Sequence, residues 1–216
     1  MMKAAAAIVM CACAVSCAGL PRITPAGAPE ASELKKKSVS PFLKGKWRVV
    51  HSIQGTLPGG STADMIGVTI ASSDTGAIRS TLMSIEGLVL LDAEFNKSLV
   101  INRGIGPLGR HDLVTGMMRD IRLILFAPPG TMADAGTLAD GDGACRYRSD
   151  DGDVLVLMKK SGDIEVRAYD RSARPLRTVR FMDIRPGGIP KKIELESAGL
   201  LGYSLRLDLL EAEKIR

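Results

Sequence analysis

Aromatic side chains are scarce in this 216-residue sequence, which holds one Trp, three Tyr and four Phe. Single-stranded nucleic-acid binders and sugar binders stack their ligands on aromatic rings, so the shortage argues against both classes. Histidine is rarer still. His51 and His111 are the only two, and neither stands in an H-E-x-x-H or G-x-S-x-G context, so no metal or hydrolase site is expected. Strong charge of one sign is missing as well. Lys and Arg total 29 against 24 acidic residues, a net charge of +5 spread thinly along the chain, which names no polyanionic partner and no nucleic acid. The longest uncharged apolar run, Ala4 to Val15, is shorter than the roughly 20 residues a membrane-spanning helix needs. What is present is ordinary globular composition, 45% hydrophobic and 25% charged, and a length that suits one domain.

The N-terminus reads as an address. Lys3 is a short positive region, Ala4 to Val15 an apolar core, and Ala14-Val15-Ser16-Cys17 follows. That ending resembles the lipobox of bacterial lipoproteins. The resemblance implies cleavage of residues 1–16, diacylglycerol on the Cys17 sulfur and acylation, of the palmitate type, on the new amine. Ala18 in place of Asp implies, by the same analogy, the outer membrane. Cys11, Cys13 and Cys17 then form no metal site, and Cys145 is the only free thiol, expected to be inert or partly exposed in a loop. Residues 17–43 carry Pro21, Pro25, Pro29 and Pro41 and are expected to act as a flexible tether, with a turn or two of helix over Glu30–Lys37.

From residue 44 the pattern has the period of two that marks strands. Trp47, Val49, His51 and Ile53 alternate with Arg48, Val50, Ser52 and Gln54. Further strands are predicted over 63–72, 77–83, 88–95 and 98–102. Asp112–Phe126 has helical spacing, with Leu113, Met117, Asp120, Ile121 and Leu125 on one side, Asp112 as N-cap and Pro128-Pro129 as the stop. The Gly-, Asp- and Ala-rich stretch 127–143 is predicted to be a mobile loop. Strands resume over 145–149, 153–160, 163–170, 176–184, 189–196 and 201–211. The fold class is therefore mainly β: a curled antiparallel sheet of about 10–11 strands, an open or half barrel, wrapped around one or two helices. Residues 44–216 form that single domain.

Three stretches carry a family resemblance. Ser80–Leu90 looks like two strands joined by a short projecting loop, Asp112–Pro129 like an internal helix, and Ile189–Leu195 with Gly202–Leu207 like closing strands. Together they resemble the LolA/LolB class, the periplasmic carrier and outer-membrane receptor of lipoprotein localisation. The resemblance implies a non-enzymatic, lipid-anchored outer-membrane protein facing the periplasm. It would receive an acyl chain or lipoprotein cargo from a periplasmic carrier. It also implies that Ile85 is the apolar residue of the projecting loop, with Glu86 beside it.

Independently, an acyl chain needs a dry aliphatic groove. The candidates for its lining are Trp47, Val49, Ile66, Val68, Leu82, Leu88, Leu90, Met117, Ile121, Leu205 and Leu207. Two sharper motifs are set aside. Gly104-x-Gly106-x-x-Gly109 spells a dinucleotide fingerprint, but its surroundings are antiparallel, so a bend into the helix is expected and no cofactor. Asp140, Asp142, Asp150, Asp151 and Asp153 lack the order of a calcium loop and suit turns. The alternative function is a structural or accessory lipoprotein with a filled core that docks a protein partner in the cell envelope. An open cavity would favour the carrier, and a filled one the accessory protein.

Overall fold

The structure, a computed structural model, describes residues 19–56, 60–184, 188–198 and 202–215. The expected leader and Cys17 lie outside them. Thirteen strands form one antiparallel sheet: β1 Thr24–Pro25, β2 Lys46–Thr56, β3 Thr62–Ser72, β4 Ala77–Ser84, β5 Val89–Asn96, β6 Ser98–Gly104, β7 Thr131–Thr137, β8 Gly143–Ser149, β9 Gly152–Met158, β10 Ile164–Tyr169, β11 Pro175–Ile184, β12 Pro190–Ser197 and β13 Ser204–Ile215. Their spatial order is β1-β7-β8-β9-β10-β11-β12-β13-β2-β3-β4-β5-β6, so β1 and β6 are free edges and no barrel closes. Two helices, α1 (Ala28–Ser38) and α2 (His111–Leu125), complete the fold.

Curling follows from the core. Thirteen strands about 4.8 Å apart would span roughly 58 Å if flat. Yet Leu91 of β5, near one edge, and Cys145 of β8, near the other, belong to one apolar cluster with Val49, Val179 and Leu195 between them. The connection from β6 to β7 must join the two ends of this curl, and α2 lies in it. Its buried residues Val114, Met118, Ile124 and Leu125 fill the inner face of the sheet.

Helix α2 starts at His111, with Arg110 as N-cap and no side-chain cap. Asp112 instead sits inside the first turn, paired with Arg110 at 2.6 Å. The glycine motif makes the expected bend. Gly106 has φ +56°, and a Cβ at Gly104 would collide with the Leu108 carbonyl.

Two expectations are corrected. Residues 19–43 are not a loose strap. Leu20 and Ile23 pack on Ala144, Leu155, Leu157 and Tyr169, on the outer face of β8–β10. Arg146 Nη2 donates to the Pro21 carbonyl at 2.5 Å. The chain then turns over the sheet edge through β1, and α1 packs on β7, β8 and β9 with Leu34 in the inner core. Pro29 explains the misreading, because a proline in the first helical turn starts a helix rather than preventing one. Phe42 and Leu43 are core residues.

Nor is 127–143 a loop, since 131–137 pairs with β8 as β7. Its small side chains reflect crowding: a Cβ at Gly136 would collide with the Thr24 carbonyl of β1. These two strands, β1 and β7, account for the excess over eleven.

Candidate functional site: the covered inner face and its rim

Strand pairing decides which groove candidates share a face, because directly paired residues point the same way. Val49 pairs with Thr69, Gly67 with Leu82, Leu82 with Leu91, and Ile53 with Leu207. Val49, Leu82 and Leu207 are buried in the inner core. Trp47, Met117, Ile121 and Leu205 are half-buried against it. These seven are brought together.

The other four are not. Ile66 pairs with Ser52 and Val68 with Val50, which places both on the outer face. Leu90 neighbours inward-facing Leu91 at a register shift between β4 and β5 and does not join the core. Leu88 stands 51% exposed in the β4–β5 loop, beside Ile85 at 68%. That loop is a tight projection: Gly87 N–H donates to the Ser84 carbonyl, and Ser84 N–H to the Leu88 carbonyl.

Beneath the C-terminal end of α2 the inner face leaves little space. The space bounded by Leu43, Val49, His51, Ile124, Ile193 and Leu209 measures about 10 Å³, room for one water at most. The larger space, about 470 Å³, is a cleft at the rim between the C-terminal half of α2 and the ends of β8–β11. None of the eleven groove candidates lines it. Its walls are Leu123, Phe126 and Pro128 on one side and Val154, Ala168 and Leu176 on the other, with Arg119 and Arg122 on the helix.

Three polar side chains tie α2 to the sheet. Asp120, only 4% exposed, accepts from Arg177 Nε at 2.8 Å and from the Tyr203 hydroxyl. Arg177 also lies over the Tyr203 ring, 5.5 Å from its centroid. Burial pushes the Asp120 carboxyl above its usual range, against the pull of Tyr203 and Arg177. Burial, with the Asp120 charge beside it, raises the Tyr203 phenol. Both directions follow from a charge enclosed in an apolar layer. Arg122 adds cation–π contacts to Phe95 at 5.6 Å and Phe126 at 5.8 Å.

His51 sits in the inner layer, where desolvation pushes its pKa down to about 4, with Asp208 pulling the other way. Cys145 is not in a loop. It is fully buried on β8, and desolvation raises its thiol, which leaves it protonated and inert.

Asp120 was visible in the sequence as an acid within an apolar helical stripe, which calls for a partner. The partners, Arg177 and Tyr203, are 57 and 83 residues away and carry no local signal. No group of His, Cys, Asp and Glu among the described residues is placed to hold a metal ion. Of the aspartate cluster, Asp140 accepts from the Asp142 backbone N–H at 3.0 Å within its turn, and Asp142 pairs with Lys159 at 2.8 Å, which links that turn to the one after β9. No helix among the described residues is long and apolar enough to cross a membrane.

No family model and no curated protein matches the sequence. Solved structures do match. A LolA superfamily protein from Nitrosomonas europaea superposes with a TM-score of 0.55 at 14% identity, covering 87% of this chain and 94% of that one. A domain from Vibrio parahaemolyticus, described as an outer membrane lipoprotein-sorting protein domain, gives a TM-score of 0.46 at 10% identity over 87% of this chain and 93% of its own. An open antiparallel sheet whose inner face is covered by an inserted helix, superposing over most of its length on the first of these, has a LolA/LolB-like fold.

Proposed function

We propose that this chain is a non-enzymatic protein of the outer membrane. It is anchored by lipid on Cys17 and faces the periplasm. On the inner face of its sheet it holds an acyl chain or an acylated protein, received from a periplasmic carrier, and helps place it in the membrane. The observation that carries this reading is the lid geometry. Helix α2 covers the middle of the apolar inner face of an unclosed sheet, with α1 on β7–β9 beside it, and among the described residues Asp120 is the one side-chain hydrogen-bonding link of α2 to a strand.

The energies are commensurate. Exposing Val114, Met118, Ile124 and Leu125 would cost on the order of 6–12 kcal/mol in all, and burying about 16 methylenes of a fatty chain returns about 13 kcal/mol. An acyl chain can therefore replace the helix on the sheet without covalent chemistry, and transfer onward runs down an affinity gradient. The exposed Ile85 and Leu88 suit contact with a bilayer surface.

The small space beneath the C-terminal end of α2, about 10 Å³, favours a second reading. In it the core stays closed and the protein is an accessory lipoprotein that docks a partner in the envelope. Native mass spectrometry of the chain from Ala18 onward, secreted to the periplasm and purified without detergent, separates the two. A discrete adduct that denaturation releases as a fatty acid or phospholipid supports the carrier. If added lipid also fails to bind, the accessory reading stands instead. Loss of fatty-acid labelling in Cys17→Ala tests the anchor.

A further inference from the structure

The rim cleft differs from the covered face in two respects: it is open and it is charged. Its size, about 470 Å³, falls at the lower end of the roughly 300–1,000 Å³ typical of small-ligand sites, which suits one chain rather than a multiply acylated protein. Its floor and walls are aliphatic or aromatic: Leu123 and Phe126 from α2 face Val154 and Leu176 from the strands. Leu176 is 41% exposed, an apolar side chain left open to water at the mouth.

Arg119 and Arg122, one helical turn apart, both line the cleft. Among the described residues no carboxylate lies within 4.0 Å of either guanidinium. The cleft does hold acids, but Asp120 is engaged by Arg177 and Tyr203, and Asp153 by Arg148 at 3.1 Å. That leaves Asp151 against two arginines. The Arg122 guanidinium lies over the ring of Phe126, which lines the cleft, and over that of Phe95 on β5, which does not.

From these observations we propose that the cleft binds a single-chain fatty carboxylate, its tail between the helix and the strand ends and its head group on Arg119 and Arg122. A guanidinium matches a carboxylate in shape and charge, and the partly apolar surroundings strengthen that contact relative to bulk water. This deepens the carrier reading and rests on it only in that the ligand has an acyl chain.

The test uses the full lipidated chain in nanodiscs. Hydrogen exchange is followed while laurate or dodecanol, equal in chain length but charged or neutral, is added. Laurate is expected to protect residues 119–130 and 149–154 at a concentration about tenfold below that of dodecanol. In the double variant Arg119→Gln/Arg122→Gln this advantage disappears. Leu176→Asp, at an exposed position that leaves the fold intact, weakens both ligands. Unchanged exchange in β10–β12 without ligand verifies folding.

Equal midpoints for the two ligands overturn the charged head-group site while the carrier reading stands. Protection confined to the strands beneath α2, or no effect of Leu176→Asp, overturns the cleft as the site. If neither ligand protects any segment, the carrier reading falls as well.

Discussion

Acid should loosen the lid through His51. The imidazole lies in the apolar layer beneath the end of α2, among Leu43, Ile124, Ile193 and Leu209, and is 6% exposed. Desolvation lowers its pKa from 6.5 to about 4. The folded state therefore binds this proton less readily than the unfolded state does. The stability His51 contributes is complete above pH 6.5, falls as the pH drops through the window between the two values, and levels off below about 4.

A shift of this size corresponds to about 3 kcal/mol in total, of which about 2 kcal/mol is lost by pH 5. That is a sizeable part of an ordinary domain's stability of roughly 5–15 kcal/mol. The assay is urea unfolding at pH 7.5, 6 and 5, comparing the native chain with His51→Gln. Most of the loss should vanish in the variant. If the variant loses as much stability between pH 7.5 and 5 as the native chain, His51 is not a desolvated neutral imidazole and the reasoning fails. The same titration followed by hydrogen exchange should show the C-terminal turn of α2 opening first, since Ile124 and Leu125 border the space that holds the ring.

Asp120→Asn keeps the shape of the latch but removes the charge that holds Arg177. A loss of about 1–3 kcal/mol is expected in thermal unfolding, with faster exchange along α2 and faster uptake of acyl chain. Gly136→Val forces β1 away from β7 through the collision with the Thr24 carbonyl. Limited proteolysis should then cut within residues 19–27 while β8–β12 stay protected. Ile85→Ser removes an apolar side chain that is 68% exposed. Stability should change by less than about 0.5 kcal/mol, but binding to liposomes, measured by flotation, should fall.

Much of the sheet could be read from alternation alone, and α2 from its three-to-four spacing. The errors have a common physical origin. In β3 beyond Met65 the bulky side chains point outward. The inner positions are Gly67, Thr69 and Ala71, and a Cβ at Gly67 would come within 2.6 Å of Ile53 Cδ1. At Gly67 the Ile53 side chain leans across and leaves room only for a small residue. The β-branched Ile66, Val68 and Ile70 then serve the extended backbone from outside. Taking the larger member of each alternating pair as the inner one therefore inverts that strand.

Leu90 and Leu91 were separable only by the register shift between Leu82 and Met83, and such a shift has no marker in composition. The same crowding hides β7, whose Ala-Asp-Ala-Gly run looks like loop because β1 approaches it so closely. The polar latch shows the opposite limit. An aspartate inside the apolar stripe of α2 announces that a partner exists, but only the folded chain brings Arg177 and Tyr203 to it. The groove-lining candidates chosen for bulk describe the filled part of the molecule. The open cleft joins apolar residues at the ends of α2 and β9–β11 to prolines, arginines and turn residues that apolar periodicity passes over, so a search for lipid sites in curled sheets should weigh charged helix positions at the rim as heavily as aliphatic ones inside.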